Sequence, residues 1–249
     1  MCDYIETFAR VEHKYILPVE KYDSFIKMIQ PHIKDDAYPS YSLHNIYYDS
    51  PDNLMITRSL EGPEYKEKLR LRAYGEDPTD NVFLEIKKKY DGIVYKRRIA
   101  LHEKEALDYL NKSIPLSNTS QIAKEIDYVK DLYNVRGKMF IGYDRRAYAG
   151  KDEDDVRITF DTNIRYRLHN LSLDDIGEET IIQNPNEMVL EIKVMDRYPM
   201  WLSEALAEHK LYKGSFSKYG IIYSALHQKE AKEATLLHTE VLQPCSLQY

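Results

Sequence analysis

Phe83 Leu84 Glu85 Ile86 Lys87 and Val189 Leu190 Glu191 Ile192 Lys193 repeat one pattern, in which apolar and charged residues alternate. A strand turns successive side chains to opposite faces, so Glu85 and Lys87 share one face while Leu84 and Ile86 share the other. The same period groups Arg10, Glu12 and Lys14 in RVEHKY, Lys68, Arg70 and Arg72 in KLRLR, and Lys96 with Arg98 in YKRRIAL. YDRRAY adds Tyr143 and Arg145, and RITFDTN adds Arg157, Thr159 and Asp161. Each of these faces has apolar or aromatic residues opposite it.

Strands are therefore predicted at RVEHKY and over 41–49, 66–74, 82–89, 94–101, 138–148, 156–168 and 188–195, with turn signals at 75–78 and 91–92. Pro18 opens an amphipathic helix to about Gln30, with Tyr22, Phe25, Ile26 and Ile29 at helical spacing. Further helices are predicted over 103–110, 120–134, 199–209 and 217–233, a polar loop over 174–187, and a loosely held tail over 236–249. The fold class this implies is α+β: an antiparallel β-barrel of about eight strands with helices packed on the outside. Charged faces then turn inward and apolar faces outward, leaving room for one small ligand.

Counting Lys89, the charged faces carry twelve cations (Arg10, Lys14, Lys68, Arg70, Arg72, Lys87, Lys89, Lys96, Arg98, Arg145, Arg157, Lys193) and four carboxylates (Glu12, Glu85, Asp161, Glu191). That is +8 in a chain of net charge −6, which leaves −14 for everything else. Taken singly, each strand reads as the solvated face of an antiparallel sheet. Seven segments of the same sign do not, because like charges opposite one another on neighbouring strands repel. Something anionic is expected to compensate them.

The wider composition narrows the options. Cys2 and Cys245 stand alone near the two ends, outside any CxxC or Cys/His cluster, which argues against a disulfide framework or a zinc site and for a reducing cytoplasm. The first fifteen residues lack the apolar core of a signal peptide, and no apolar run reaches the length of a membrane span. The expectation is a cytoplasmic protein, compatible with a position at the inner face of a membrane through a membrane partner. The acidic balance, pI near 5.8, argues against nucleic acid as a partner.

Converging lysines and arginines with a few carboxylates suit a polyphosphate ligand: guanidinium forks grip phosphate oxygens, ammonium groups add charge, and a carboxylate holds the divalent metal that phosphate brings. Phosphoryl transfer asks chiefly for alignment and charge neutralisation. GxxxxGK[ST], GxSxG and HExxH motifs are absent from the sequence.

RVEHKY, the YYDSP turn at 47–51, KLRLR, FLEIKKK, YDRRAY, RITFDTN, VLEIKV and FSKYG at 216–220 occur in the order expected of the VTC domain, and the chain resembles that polyphosphate polymerase branch of the triphosphate tunnel metalloenzymes from about residue 8 to 228. The resemblance implies one tunnel domain over 1–235, in which ATP donates its γ-phosphate to a growing inorganic polyphosphate chain and ADP leaves. By motif position Lys14, Arg70, Arg72, Lys87, Lys96, Arg145, Arg157, Lys193 and Lys218 would bind phosphates, with Tyr143 and Ser217 assisting. Arg10, Arg58 and Lys68 join the ATP- and phosphate-binding set. Lys14, Arg70, Arg72, Lys193 and Glu191 would act on the reacting phosphates. Glu191 would hold Mn²⁺ or Mg²⁺, with Glu12 and Glu85 as further metal ligands or as ion-pair partners of the neighbouring cations. Asp161 is expected to orient Arg157 or another cation.

The hydrolases of that superfamily usually begin with ExExK, whereas Arg10 stands at the first glutamate here. One carboxylate fewer weakens a second metal site and favours transfer over attack by water. A triphosphatase and a non-catalytic polyphosphate-binding module are the competing readings. Lys88, Arg97, His13 and His44 fall on outward or uncertain faces and are given no functional role.

Overall fold

Alternation this regular needs a sheet with two different sides, and a computed structural model shows one. It describes residues 11–75, 81–91, 93–173 and 177–241, with side chains as far as residue 229. The strands are β1 (Val11–Pro18), β2 (Ile33–Asp49), β3 (Tyr65–Tyr74), β4 (Val82–Tyr90), β5 (Ile93–Leu101), β6 (Arg136–Gly150), β7 (Arg157–Arg167), β8 (Thr180–Ile181) and β9 (Glu187–Val194). They form one antiparallel sheet in the order β1-β9-β7-β6-β2-β3-β4-β5, with β8 added to β7.

Among the described residues the sheet is not closed by a ladder between β1 and β5, so the hydrogen-bonded barrel expected from the sequence is not formed. The reason lies at the β1 edge, where Gly214 N donates to Lys14 O at 2.8 Å and occupies backbone groups that another strand would need. The sheet curls nonetheless, since Lys87 Nζ on β4 comes within 3.5 Å of Glu12 Oε2 on β1. Side chains, not backbone, bridge its two ends.

Apolar parity packs outward. Leu69, Leu71, Leu84, Ile86 and Ile99 meet Ala106, Tyr109, Ile126 and Val129 of α3 (Glu103–Lys112) and α4 (Gln121–Tyr133). Tyr15, Leu17, Ile158, Phe160, Leu190 and Ile192 meet Phe25 and Ile29 of α1 (Tyr22–Ile29) and Leu202 and Leu206 of α5 (Met200–Glu208).

A third cluster was not anticipated. Leu43, Tyr47, Met139, Ile141 and Tyr143 share parity with the cations on the inner face, and with Ile164 and Val189 they pack against Ile56 of α2 (Leu54–Leu60) and Tyr219 and Ile222 of α6 (Lys218–Val241). Part of the concave side is thus filled with hydrocarbon. The β7 strand changes parity to join it: the register slips between Gly142 and Asp144, and Asn163 takes φ 52°, so Asp161 and Ile164 both point inward. Helix α6 also runs past the expected end, so residues through Val241 of the predicted tail are helical, and 242–249 lie outside the described residues.

Asp49 ties this inner layer together. Its fully buried carboxylate accepts from the backbone N–H groups of Ser50 (2.7 Å), Met55 (2.9 Å) and Ile56 (2.9 Å), capping α2, and from the Tyr219 hydroxyl at 3.2 Å. Asp49→Ala is expected to lower stability by about 2–4 kcal/mol, the combined loss of a cap and of partners for buried donors. Urea denaturation measures this, and an unchanged midpoint would show that α2 and α6 are held by packing alone.

Candidate functional site

Strands β3, β4 and β5 bring Arg70, Glu85 and Arg98 into one row by register, and Lys68, Lys87 and Lys96 into the next. Glu85 is the hub of the first row. Arg70 donates to its Oε2 from Nε (2.8 Å) and lies at 2.6 Å through Nη2; Lys96 Nζ is 2.7 Å from Oε1, Arg72 Nε 3.9 Å from Oε2 and Arg98 Nη1 4.0 Å from Oε1. Burial pushes the Glu85 carboxyl up, but Arg70, Arg72 and Lys96 overrule it and hold it well below the usual carboxylate range.

Arg72 is aimed by neutral groups. Asn45 Oδ1 accepts from its Nε at 2.8 Å, while Tyr143 and Tyr74 hydroxyls accept from its Nη2 and Nη1 at 3.2 and 3.4 Å. Asn45, fully buried, is itself fixed by donating from Nδ2 to Ile141 O at 2.9 Å. It escaped the sequence reading, although a lone amide between Leu43 and Tyr47 on one face of a strand was visible.

Across the curl, β6, β7, β9, β1 and the start of α6 supply a second group. Arg145 grips Asp161 with Nε at 2.6 Å and Nη2 at 2.8 Å, and Lys218 Nζ reaches the same carboxylate at 2.5 Å. Asp161 therefore orients Arg145 and Lys218. Glu191 is paired with Lys193, with Lys14 at 3.8 Å and with Arg145 at 3.8 Å. Glu12 meets Lys14 at 3.1 Å and Lys87 at 3.5 Å. Burial and the nearby Glu191 charge push the Glu12 carboxyl up, but Lys87, Lys193 and Lys14 bring it down to about 2. Lys14 also donates to Phe216 O at 3.2 Å, and Lys68 donates to Ser217 Oγ at 2.9 Å, which joins the α6 entry to the wall.

Burial and crowding disfavour the charge of several of these ammonium groups, Lys87 and Lys66 among them. Burial lowers Lys68 to about 8, helped by Lys87, Lys14 and Lys66. Burial likewise lowers Lys96 to about 7, with Arg72 and Arg70 adding to the effect against Glu85. Cations whose own charge is disfavoured by their neighbours gain from a polyanion placed among them.

The convergent set is Lys14, Lys68, Arg70, Arg72, Lys87, Lys96, Arg98, Arg145, Lys193 and Lys218 around Glu12, Glu85, Asp161 and Glu191. Tyr143 joins it, its ring beneath Lys218 Nζ at 4.2 Å and Arg145 at 5.5 Å. Arg157 follows the wall in register with Lys193, but its guanidinium turns to Asp36 at 2.7 Å. Arg58 is not brought in: it is exposed on α2, and its charge acts on Asp52 and Tyr133. Arg10 lies outside the described residues. Lys66, unremarked in the sequence, stands in register with Lys89 and extends the basic row. On the outer face Arg97 and Lys88 pair with Glu125 at 2.5 and 3.6 Å, as their parity required. His13 and His44 bond Tyr198 and Leu173 O at 2.7 and 3.0 Å.

Ten cations facing four carboxylates leave a surplus that a ligand with several anionic oxygens would neutralise. Among the described residues no cluster of three or more His, Cys, Asp or Glu side chains stands ready for a metal. Glu12 and Glu191 are nevertheless adjacent, sharing Lys14, and two hard carboxylates fit a divalent ion that takes its other ligands from phosphate.

The sequence model of the VTC domain matches residues 9–227. Subunit 4 of the vacuolar transporter chaperone complex is 24% identical in Trypanosoma cruzi, over 86% of this chain and 34% of that protein. The same subunit in Schizosaccharomyces pombe is 24% identical, over 71% of this chain and 30% of that protein. The chain thus spans about a third of the length of these curated relatives. Two solved structures share the fold with a TM-score of 0.52: a putative adenylate cyclase from Bacillus halodurans (12% identity; 86% of this chain, 96% of that one) and a putative adenylyl cyclase from Hippeastrum with a dominant triphosphatase activity (14% identity; 87% and 96%).

Proposed function

The chain belongs to the VTC domain family, and from that premise we propose that it is a polyphosphate polymerase, transferring the γ-phosphate of ATP to a growing inorganic polyphosphate chain and releasing ADP. The single observation that carries this reading is the row of cations converging on the concave face of the sheet, drawn from β1, β3, β4, β5, β6, β9 and α6. A ligand in that space is met by guanidinium forks at Arg70, Arg72 and Arg145 and by point charges at Lys14, Lys68, Lys87, Lys96, Lys193 and Lys218. Such a wall would align a donor triphosphate with an acceptor chain and neutralise their charge, the two things phosphoryl transfer needs from a protein.

In this reading Glu191, with Glu12 beside it, would hold Mn²⁺ or Mg²⁺, which would supply positive charge against that developing on the phosphates. Glu85 is the counter-ion that keeps Arg70, Arg72, Lys96 and Arg98 aligned, since both its oxygens already face cations. Asn45 and Asp161 position Arg72 and Arg145. Among the described residues no helix is long and apolar enough to cross a membrane. The relatives' names place them in a transporter chaperone complex, which supports a membrane-bound partner; a cytoplasmic position for this domain belongs to the same proposal.

The test is a product assay. Purified protein with ATP and Mn²⁺ is expected to make acid-labile polymer and ADP in step; orthophosphate as the sole phosphate product would replace polymerase by triphosphatase. Tight polyphosphate binding without turnover under any divalent ion would make the chain a binding module. Glu191→Gln is expected to reduce turnover by about 10²-fold or more, the scale of losing a charge-stabilising group, while most anion binding survives. Equal turnover in variant and parent would remove the metal assignment.

A further inference from the structure

Tyr47 sits on β2 in register with Arg70 of β3 and Met139 of β6. Its ring is buried and stacked on Tyr219 of α6, with centroids 4.8 Å apart and planes 20° from parallel, which sets the direction of the hydroxyl. Arg70 Nη1 donates to that hydroxyl at 3.3 Å, its one hydrogen bond among the described residues. Among the described residues no acceptor is seen for its phenolic proton.

What surrounds the hydroxyl is a ring of donors. Lys68, Arg70 and Arg72 of β3 act on it directly, Lys14 of β1 feels its charge, and Tyr219 already donates to Asp49. A buried O–H without an acceptor is costly, and the ammonium and guanidinium groups around it have no acceptor to offer. An oxyanion entering between the cations supplies what is missing.

We infer that Tyr47 is a ligand-binding residue, whose phenolic O–H donates to a phosphate oxygen of the polyanion held by Lys68, Arg70 and Arg72. This rests on the polyphosphate reading of the site and adds a further neutral donor to a set built mainly from charge. It also links binding to a proton. In the free protein, burial opposes ionisation of Tyr47, but Arg70, Arg72 and Lys68 outweigh it and bring the phenol down to about 8. A polyanion on those cations cancels their pull, so its arrival returns Tyr47 to the protonated, donating form.

The experiment uses the full chain and Tyr47→Phe, which keeps the ring and its stacking on Tyr219, with inorganic tripolyphosphate as the probe. Tyrosinate absorbance is followed on raising pH, and binding is followed by calorimetry. The parent is expected to show one tyrosine ionising near pH 8, absent from the variant, and tripolyphosphate should move that ionisation to higher pH. Below it, the variant should bind tripolyphosphate about tenfold more weakly, as for a lost hydrogen bond to a charged group. If tripolyphosphate binds both proteins equally and leaves the tyrosine titration in place, Tyr47 is no ligand donor while the polyphosphate site stands. If it binds neither, both readings fall.

Discussion

Glu85→Gln is expected to be the most destabilising single substitution in the concave face, by about 3–5 kcal/mol, the range for removing one partner from a buried ionic cluster. Glu85 is wholly inaccessible and faces Arg70 and Lys96 within 2.7 Å and Arg72 and Arg98 within 4.0 Å. A neutral amide fills the same space but leaves four cations facing one another. The sign with pH follows. Glu85 ionises well below its ordinary range in the folded chain, so its stabilisation is complete above about pH 4.3, its unfolded value. It is lost as pH falls toward the folded value. Urea midpoints of parent and variant at neutral pH read the difference. Saturating tripolyphosphate should narrow the gap, because an anion among the same cations replaces the missing charge and stabilises the native state by mass action. A variant as stable as the parent would mean that these cations are solvated well enough to need no buried counter-ion.

Arg72→Ala should be the most damaging change to turnover, about 10²–10³-fold, the scale for removing one preorganised donor from a transition-state charge. Asn45, Tyr143 and Tyr74 all accept from this guanidinium, so its direction is set before any ligand arrives. Lysine should not rescue it, because a single ammonium cannot reproduce the fork. Arg97→Ala is the matched control. Arg97 belongs to a later basic run of the sequence, but it points outward to Glu125 at 2.5 Å, and its removal should leave turnover unchanged. Activity of both variants with ATP gives the answer; similar losses in the two would show that net charge, and not convergence on the concave face, governs activity.

Much of this was legible from period two alone. Lys68, Arg70 and Arg72 had to share a face with one another, as did Glu85 and Lys87, because a strand leaves no other choice. The assignment of Lys88 and Arg97 to the outside followed from the same rule. Other features depended on partners far away in sequence. Arg58 sits in a motif-rich stretch, yet α2 presents it to solvent. Arg157 has the right parity and register, but Asp36 lies within 2.7 Å and draws its guanidinium away. Asn45 looked like an ordinary strand residue until β3 placed Arg72 against it. The shift of β7 parity left only Asn163 as a clue, an amino acid that tolerates positive φ.

The sequence by itself determined which side of each strand is charged, that most of the basic residues in these strands share one face, and that the chain resembles the VTC domain. These are local properties, set by the geometry of an extended backbone. Only the tertiary structure decided how the curl ends: Gly214 takes the β1 edge, Glu12 and Lys87 bridge the gap, and α2 and α6 fill part of the interior with hydrocarbon. Edge pairing and core filling depend on contacts between segments up to about two hundred residues apart, whose free energy no window of sequence contains.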